Sequence, residues 1–327
     1  MPVTASQFET RACTLCNEND YVRAPHTTSK FTHGASAIFI CRNCGMTPYF
    51  SSISSKYAEL MKDSYYDDYY TVEGRSGKLT KYNELAISRF AKLEEFCDLN
   101  GKFVLDVGCG EGQILQLLKE KGAICRGLEP MSKTAQALRD RGFDVFIGLL
   151  DEYQHTDAQK FDATVLYYVL DAMKDPVGEL RRLRAITRDD GYLFVHIGSV
   201  YRQPFWSRSP LRLLRKALKS FWPKQTSHDY HPYYFTRRTL LAGLGAAGFD
   251  PVYISDKFQK HTTIVAKAGN PKPLENLNCE SWPVLWFSFF LWRIFDWLIR
   301  PPYDLAVACY RMKKYGGSAV DDVSGSV

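Results

Sequence analysis

A chain of 327 residues that is 45% hydrophobic, 24% charged and 14% aromatic is neither a multi-span membrane protein nor a disordered one. At about 100–200 residues per domain it holds two units, or one domain with additions. The formal charge of +6 admits an anionic small molecule, a membrane surface or RNA as a partner and demands none of them.

In chain order, MPVTASQFET carries no basic region followed by an apolar run, so the expected compartment is the cytoplasm, with room for a peripheral place at the inner face of the membrane. Nine cysteines there require an explanation other than disulfides. CTLC (Cys13, Cys16) and CRNCG (Cys41, Cys44) are two C-x2-C pairs separated by 24 residues, each able to wrap a tight turn around one tetrahedral ion. The pattern predicts a zinc ribbon over residues 1–50, with ASAIFICRNCG as a strand entering the second knuckle. Four thiolates leave no open coordination position, so the zinc is expected to be structural. The alternative is two chance pairs of reduced thiols, and the other five cysteines are scattered as core residues would be.

Residues 51–100 read as a tyrosine-rich connector and a helix capping the sheet edge. Leu85, Phe90, Leu93 and Phe96 recur at helical spacing. Tyr65, Tyr66, Tyr69 and Tyr70 either pack the ribbon against the next unit or cover a bound cofactor.

KFVLDVGCGEGQILQLLKEKG is an apolar strand, Phe103 to Val107, then a glycine turn, then a helix starting near Gln113 with Ile114, Leu117 and Leu118 inward. The spacing G-x-G-x-G (Gly108, Gly110, Gly112) is not the G-x-G-x-x-G of a dinucleotide site. Asp106 at the strand end would repel a phosphate but accept hydrogen bonds from an ammonium group.

Here the chain resembles the class I S-adenosylmethionine-dependent methyltransferases, whose first motif has this form. The resemblance runs roughly from Gly101 to Ala268 and implies an α/β, Rossmann-like, seven-stranded domain over residues 101–269. It assigns the Asp106, Gly108, Cys109, Gly110 and Gly112 turn to the cofactor, Glu129 and Pro130 at the next strand end to its ribose, and Leu149 and Leu150 to its adenine. FDATVLYYVLDAM, DDGYLFVHIGS and HPYYFTRRTLLAGLGAAGFDPVYIS resemble the fourth strand, the fifth strand and the following turn, helix and strand.

An unactivated hydroxyl acceptor needs a base. Many small-molecule relatives have Leu-Glu-His after the fourth strand, where this chain has Leu170, Asp171 and Ala172. With the histidine missing, the candidates are His231, Asp171, Tyr168 and His196, together with His228. His231 leads because it opens the segment that folds over the acceptor side in relatives.

The insertion at 201–228 holds seven basic residues (Arg202, Arg208, Arg212, Arg215, Lys216, Lys219, Lys224) and no acid. With Leu211, Leu214, Leu218 and Phe221 at helical spacing, it reads as a basic amphipathic lid that is either solvated or meets phosphate. The C-terminal extension 270–327 contains SWPVLWFSFFLWRIFDWLIRPP, whose 16 residues between Pro283 and Arg300 span about 24 Å as a helix against a hydrocarbon core of about 30 Å. It fits a helix lying on a surface, or one packed on the main domain or a dimer partner, followed by a flexible tail.

The combination resembles enzymes of bacterial sugar and surface-polysaccharide biosynthesis. That resemblance implies O-methylation of a sugar in a nucleotide-linked or lipid-linked glycan, with an anionic membrane surface meeting 208–224 and 282–300. The alternatives are a zinc-ribbon RNA methyltransferase and a binding protein on a methyltransferase fold. Nucleic acid is disfavoured, because YYVLDAM is not the Asp/Asn-Pro-Pro-Tyr/Phe of base methyltransferases and the ribbon carries only Arg23 and Lys30 between Cys16 and Cys41. A homodimer is left open.

Overall fold

The computed structural model describes residues 11–24, 36–51, 87–155, 160–198, 233–255, 262–277, 279, 281–287 and 290. The tyrosine cluster, the basic insertion with His228 and His231, and residues beyond Phe290 lie outside these.

Two sheets organise the chain. The smaller is antiparallel, with β1 (Tyr21–Arg23), β2 (Ser36–Cys41) and β3 (Tyr49–Ser51) side by side in that order. Side chains alternate along β2. Ile38 and Ile40 join Ala24 and Leu285 in one apolar cluster, while Cys41 belongs to the main core.

The larger sheet contains β4 (Phe103–Val107), β5 (Ile124–Glu129), β6 (Asp144–Ile147), β7 (Phe161–Tyr167), β8 (Thr187–Ile197), β9 (Phe249–Ile254) and β10 (Thr262–Ala268). Its spatial order is β6-β5-β4-β7-β8-β10-β9, and β10 alone runs antiparallel to its neighbours. Strands β4 and β7 lie mid-sheet and are buried on both faces, which is why FVLDV and FDATVLY are nearly continuous apolar runs. This seven-stranded Rossmann-like arrangement is the fold class expected from the sequence.

Helix α1 (residues 87–94) and α2 (Gln113–Glu120) cover one face. Phe90, Leu93, Ile114 and Leu118 pack on Val104, Val165 and Phe194. Helix α1 therefore lies over the face and not the edge the sequence suggested, since the β8 residue Phe194 meets Phe90 edge-on at 5.5 Å. Leu115, which the helical pattern missed, is buried in place of the partly exposed Leu117, against α3 (Ser132–Asp140) and β6. On the opposite face, α4 (Pro176–Ile186) and α5 (Arg237–Ala246) bury Val177, Leu180, Leu183, Leu240 and Leu244.

That second face is shared. Cys13, Leu15, Cys41, Cys44 and Met46 sit in the same cluster as Leu105, Leu170, Val177, Tyr233 and Phe235, so the cysteine-bearing unit is part of the main core. Polar contacts reinforce the join. Thr14 Oγ1 accepts the Val177 N–H at 3.0 Å and donates to Asp175 Oδ1, the N-cap of α4. The Tyr234 N–H donates to the Thr47 carbonyl at 3.0 Å, and Pro48 bridges Tyr233.

Helix caps of this type contribute about 1 kcal/mol. Thr14→Val is expected to lower unfolding stability in urea by about that amount, with Thr14→Ser restoring it.

Candidate functional site

Strand β4 delivers Asp106, 1% exposed, to the edge of the sheet where the glycine turn begins. Gly108, Gly110 and Gly112 take φ of 67°, 52° and 83°, left-handed conformations that side chains rarely adopt. There is also no room for one. A Cβ on Gly108 would lie 2.6 Å from Val169 Cγ2, and one on Gly112 would lie 2.5 Å from Leu138 Cδ2. Gly112 is the N-cap of α2 and gives it no side-chain cap, which leaves amide donors at the turn.

Glu129, at the end of β5 and 5% exposed, braces this turn. It accepts the Gly110 N–H at 2.9 Å on Oε2 and the Met131 N–H at 3.0 Å on Oε1. Burial, with the charge of Glu129 added, pushes the Asp106 carboxyl well above the usual carboxylate range. Burial raises Glu129 as well, against the pull of its two amide donors. Among the described residues no donor reaches Asp106 Oδ2.

S-adenosylmethionine fits these groups. Asp106 is an enclosed acceptor that an ammonium would satisfy, and each Glu129 oxygen accepts one N–H and keeps capacity for a ribose hydroxyl. Leu149 is 43% exposed and open to an adenine face, whereas Leu150 packs in the core. Pro130 is half-buried and Cys109 buried, the latter donating its N–H to the Leu128 carbonyl at 2.9 Å.

A polar cluster adjoins the turn at the ends of β7 and β8. Tyr168 takes φ of 61°, uncommon for a side-chain-bearing residue, next to the Val169 that abuts Gly108. His196 is 1% exposed, stacks on Tyr167 at 4.9 Å and meets the Tyr168 ring edge-on at 4.7 Å. Arg89 of α1 reaches this group, with Nη1 3.0 Å from His196 Nε2 and 3.1 Å from Tyr168 Oη. Arginine only donates, so His196 Nε2 accepts and Nδ1–H faces Thr263 Oγ1 at 2.8 Å. Both ring nitrogens are engaged. Asp171 is fully buried in the 3₁₀ turn Leu170–Ala172. The structure thus brings Tyr168 and His196 together beside the cofactor turn, while His231 lies outside the described residues. Sequence reasoning missed Arg89, because one arginine on the polar side of an amphipathic helix carries no signal of its own.

The four N-terminal cysteine sulfurs lie within 4.8 Å of one another, with Cys13–Cys44 and Cys16–Cys41 each at 3.5 Å. A tetrahedral zinc with bonds of about 2.3 Å separates its sulfurs by ~3.8 Å, so the set has the size and chemistry for that ion. Of the other cysteines, Cys97 and Cys109 are buried and Cys125 and Cys279 half-buried; Cys309 lies outside the described residues.

A family model described as a methyltransferase domain matches residues 79–254, more than half of the chain. The ubiquinone biosynthesis O-methyltransferase of Haemophilus ducreyi is 29% identical over 109 residues, covering 30% of this chain and 45% of its own length. That of Coxiella burnetii is 28% identical over 178 residues, 52% of this chain and 74% of its own. The chain spans about half the length of most of the curated relatives it matches. Among solved structures, magnesium protoporphyrin IX methyltransferase from Synechocystis superposes with a TM-score of 0.47 at 16% identity, covering 66% of this chain and 100% of that one.

Two outcomes follow from the site. Because its folded pKa is raised, Asp106 costs the ligand-free protein stability as pH rises from the ordinary carboxylate range toward that raised value. Asp106→Asn is therefore expected to raise the melting temperature of the ligand-free chain at neutral pH, with the gain vanishing in acid, and to weaken S-adenosylmethionine binding by roughly 10- to 100-fold in calorimetry. Elemental analysis is expected to find one zinc per chain, lost in Cys41→Ser.

Proposed function

The chain belongs to the methyltransferase-domain family, and from that membership we propose that it transfers a methyl group from S-adenosylmethionine to an oxygen of a sugar in a nucleotide-linked or lipid-linked glycan, within surface-polysaccharide biosynthesis. The observation that carries the cofactor assignment is the enclosed Asp106 oxygen beside Glu129 at a glycine turn that admits no side chain. The ubiquinone biosynthesis relatives are O-methyltransferases, which supports oxygen as the acceptor atom.

Asp106 would hold the ammonium, Glu129 the ribose hydroxyls and the 108–112 backbone the aminoacyl end. Arg89, whose guanidinium lies among a histidine and two phenols and, among the described residues, against no carboxylate, is assigned to the cofactor's own carboxylate. When bound, S-adenosylmethionine supplies an electrophilic methyl on a sulfonium, so the protein's task is to orient the acceptor oxygen and take its proton. His196 has neither nitrogen to spare and is assigned to orienting Arg89 and Tyr168. The base assigned is His231, two residues before the Tyr233 that bridges Pro48. Zinc on Cys13, Cys16, Cys41 and Cys44 is structural, holding the unit that caps α4.

The names of the relatives favour a second reading, in which the acceptor is a hydroxyl of a ubiquinone precursor. Assays with labelled S-adenosylmethionine separate the two, using lipid extract, soluble sugar nucleotides, quinone precursors and RNA as acceptors. Label in glycan is expected. Label in the quinone fraction would support the second reading; label in RNA, or no turnover at all, would overturn both. His231→Gln is expected to lose about 10²–10⁴-fold in rate and the acid-side rise of the pH–rate profile, with cofactor affinity unchanged.

A further inference from the structure

Two rows of side chains cross the large sheet beneath α1. In the first, Val165, Phe194 and Val265 are paired across β7, β8 and β10, and all three pack in one cluster with Phe90 of the helix. The next row, two residues toward the carboxyl ends of β7 and β8, is Tyr167, His196 and Thr263, again paired strand to strand. It lies on the same face, because side chains two apart on a strand point the same way. Here the apolar floor turns polar, and Arg89 takes the place of Phe90 above it. The row sits at the carboxyl ends of parallel strands, where sheets of this kind bind ligands.

Arg89 is held over that row by one tip. Its Nη1 lies 3.0 Å from His196 Nε2, 3.1 Å from Tyr168 Oη and 3.4 Å from Tyr167 Oη. Among the described residues every hydrogen bond of the guanidinium falls on Nη1, which leaves the Nη2–Nε edge for the fork geometry that a carboxylate accepts. The shortest of the three contacts needs a lone pair on His196 Nε2, so the imidazole proton has to sit on Nδ1.

Thr263 decides where that proton sits. Its Oγ1 is 2.8 Å from His196 Nδ1, and the two residues are only 4% and 1% exposed. Its backbone is tied to the end of β9, with the Thr263 N–H donating to Ser255 Oγ at 2.9 Å and the Thr263 carbonyl accepting the Ser255 N–H at 2.9 Å. The hydroxyl therefore meets the ring from a set position and accepts from Nδ1–H. Without the hydroxyl, Nδ1–H loses this acceptor. The other tautomer, with the proton on Nε2, sets an N–H against the guanidinium donors.

We propose that Thr263 is a positioning residue of the cofactor site, which fixes the His196 tautomer and so presents the open edge of Arg89 to a carboxylate. This role rests on the assignment of Arg89 to the carboxylate of the cofactor. It makes three strands and a helix answerable for one charge at the aminoacyl end.

The test is calorimetric binding of S-adenosylhomocysteine and of its decarboxylated analogue, which keeps the ammonium and the adenosine but lacks the group assigned to Arg89. Wild type is expected to prefer the carboxylate-bearing ligand. Thr263→Val is expected to bind that ligand about tenfold more weakly, with affinity for the analogue unchanged, which also shows that the variant is folded. Thr263→Ser is expected to restore the preference, and Thr263→Val is expected to add nothing once Arg89→Met has removed it. Nitrogen NMR of histidine-labelled protein, with His196→Gln to identify the resonances, is expected to show Nε2 without a proton in wild type and a mixture of tautomers in Thr263→Val. The same preference in wild type and Thr263→Val, an equal loss of both ligands in the variant, or an unchanged imidazole spectrum would each overturn the proposal. Wild-type binding of S-adenosylhomocysteine with no preference for its carboxylate would overturn the proposal together with the assignment of Arg89, and leave the cofactor in place. No binding of S-adenosylhomocysteine by wild type would overturn the cofactor reading and this role with it.

Discussion

Two carboxylates enclosed side by side are the constraint around which the large sheet is arranged. Asp106 and Glu129 end adjacent parallel strands, so the pairing of β4 with β5 brings them together. Burying two like charges is unfavourable unless a cation or donors compensate. Glu129 is compensated by amides of the turn, which fixes the path of the chain over Gly110. Asp106 is compensated by no donor among the described residues on its Oδ2. The protein thus carries, at the point where α2 begins, an electrostatic deficit shaped for a cationic ligand. Val169 and Leu138 close the space any side chain on the turn would need.

The second organising element is the four-cysteine unit. Its sulfurs converge at the inner end of β2, and the residues beside them, Leu15 and Met46, are core residues of the large domain. Through Thr14 and Thr47 it grips the start of α4 and the Tyr233–Tyr234 segment. Its other face receives α6 (residues 282–287). One small sheet therefore joins the catalytic core to the aromatic extension. That join explains why a unit too small for a core of its own needs none.

Strand and turn positions of the large sheet were legible because parallel, doubly buried strands leave unbroken apolar runs, and because glycine at 108, 110 and 112 answers a backbone requirement that the structure shows as positive φ. The cysteine cluster was legible from spacing alone, since two C-x2-C turns need only meet. Less legible was what depends on tertiary packing. Whether α1 covers an edge or a face is decided by Phe194, 104 residues away from Phe90 in sequence. Leu115 is buried because α2 lies in the groove beside α3 and β6, which the helical period does not encode. Arg89 became part of the site only when β7 and β8 placed two tyrosines and a histidine at its tip. His196 read as a free candidate base until both its nitrogens were seen to be engaged.

The contact between Thr14 and Asp175 closes a loop of 161 residues. On the ribosome, at about 5–20 residues per second, the partner of Thr14 appears ~10–30 s after Thr14 itself. For that interval the cysteine unit exists with Leu15 and Met46 facing no core. The four sulfurs need only residues 13–44 and can gather while the rest of the chain is still being made. Vectorial synthesis thus favours an order in which the four sulfurs gather first and docking onto α4 comes last. The four sulfurs then have to gather without the large domain, even though the finished protein shows the two as one core.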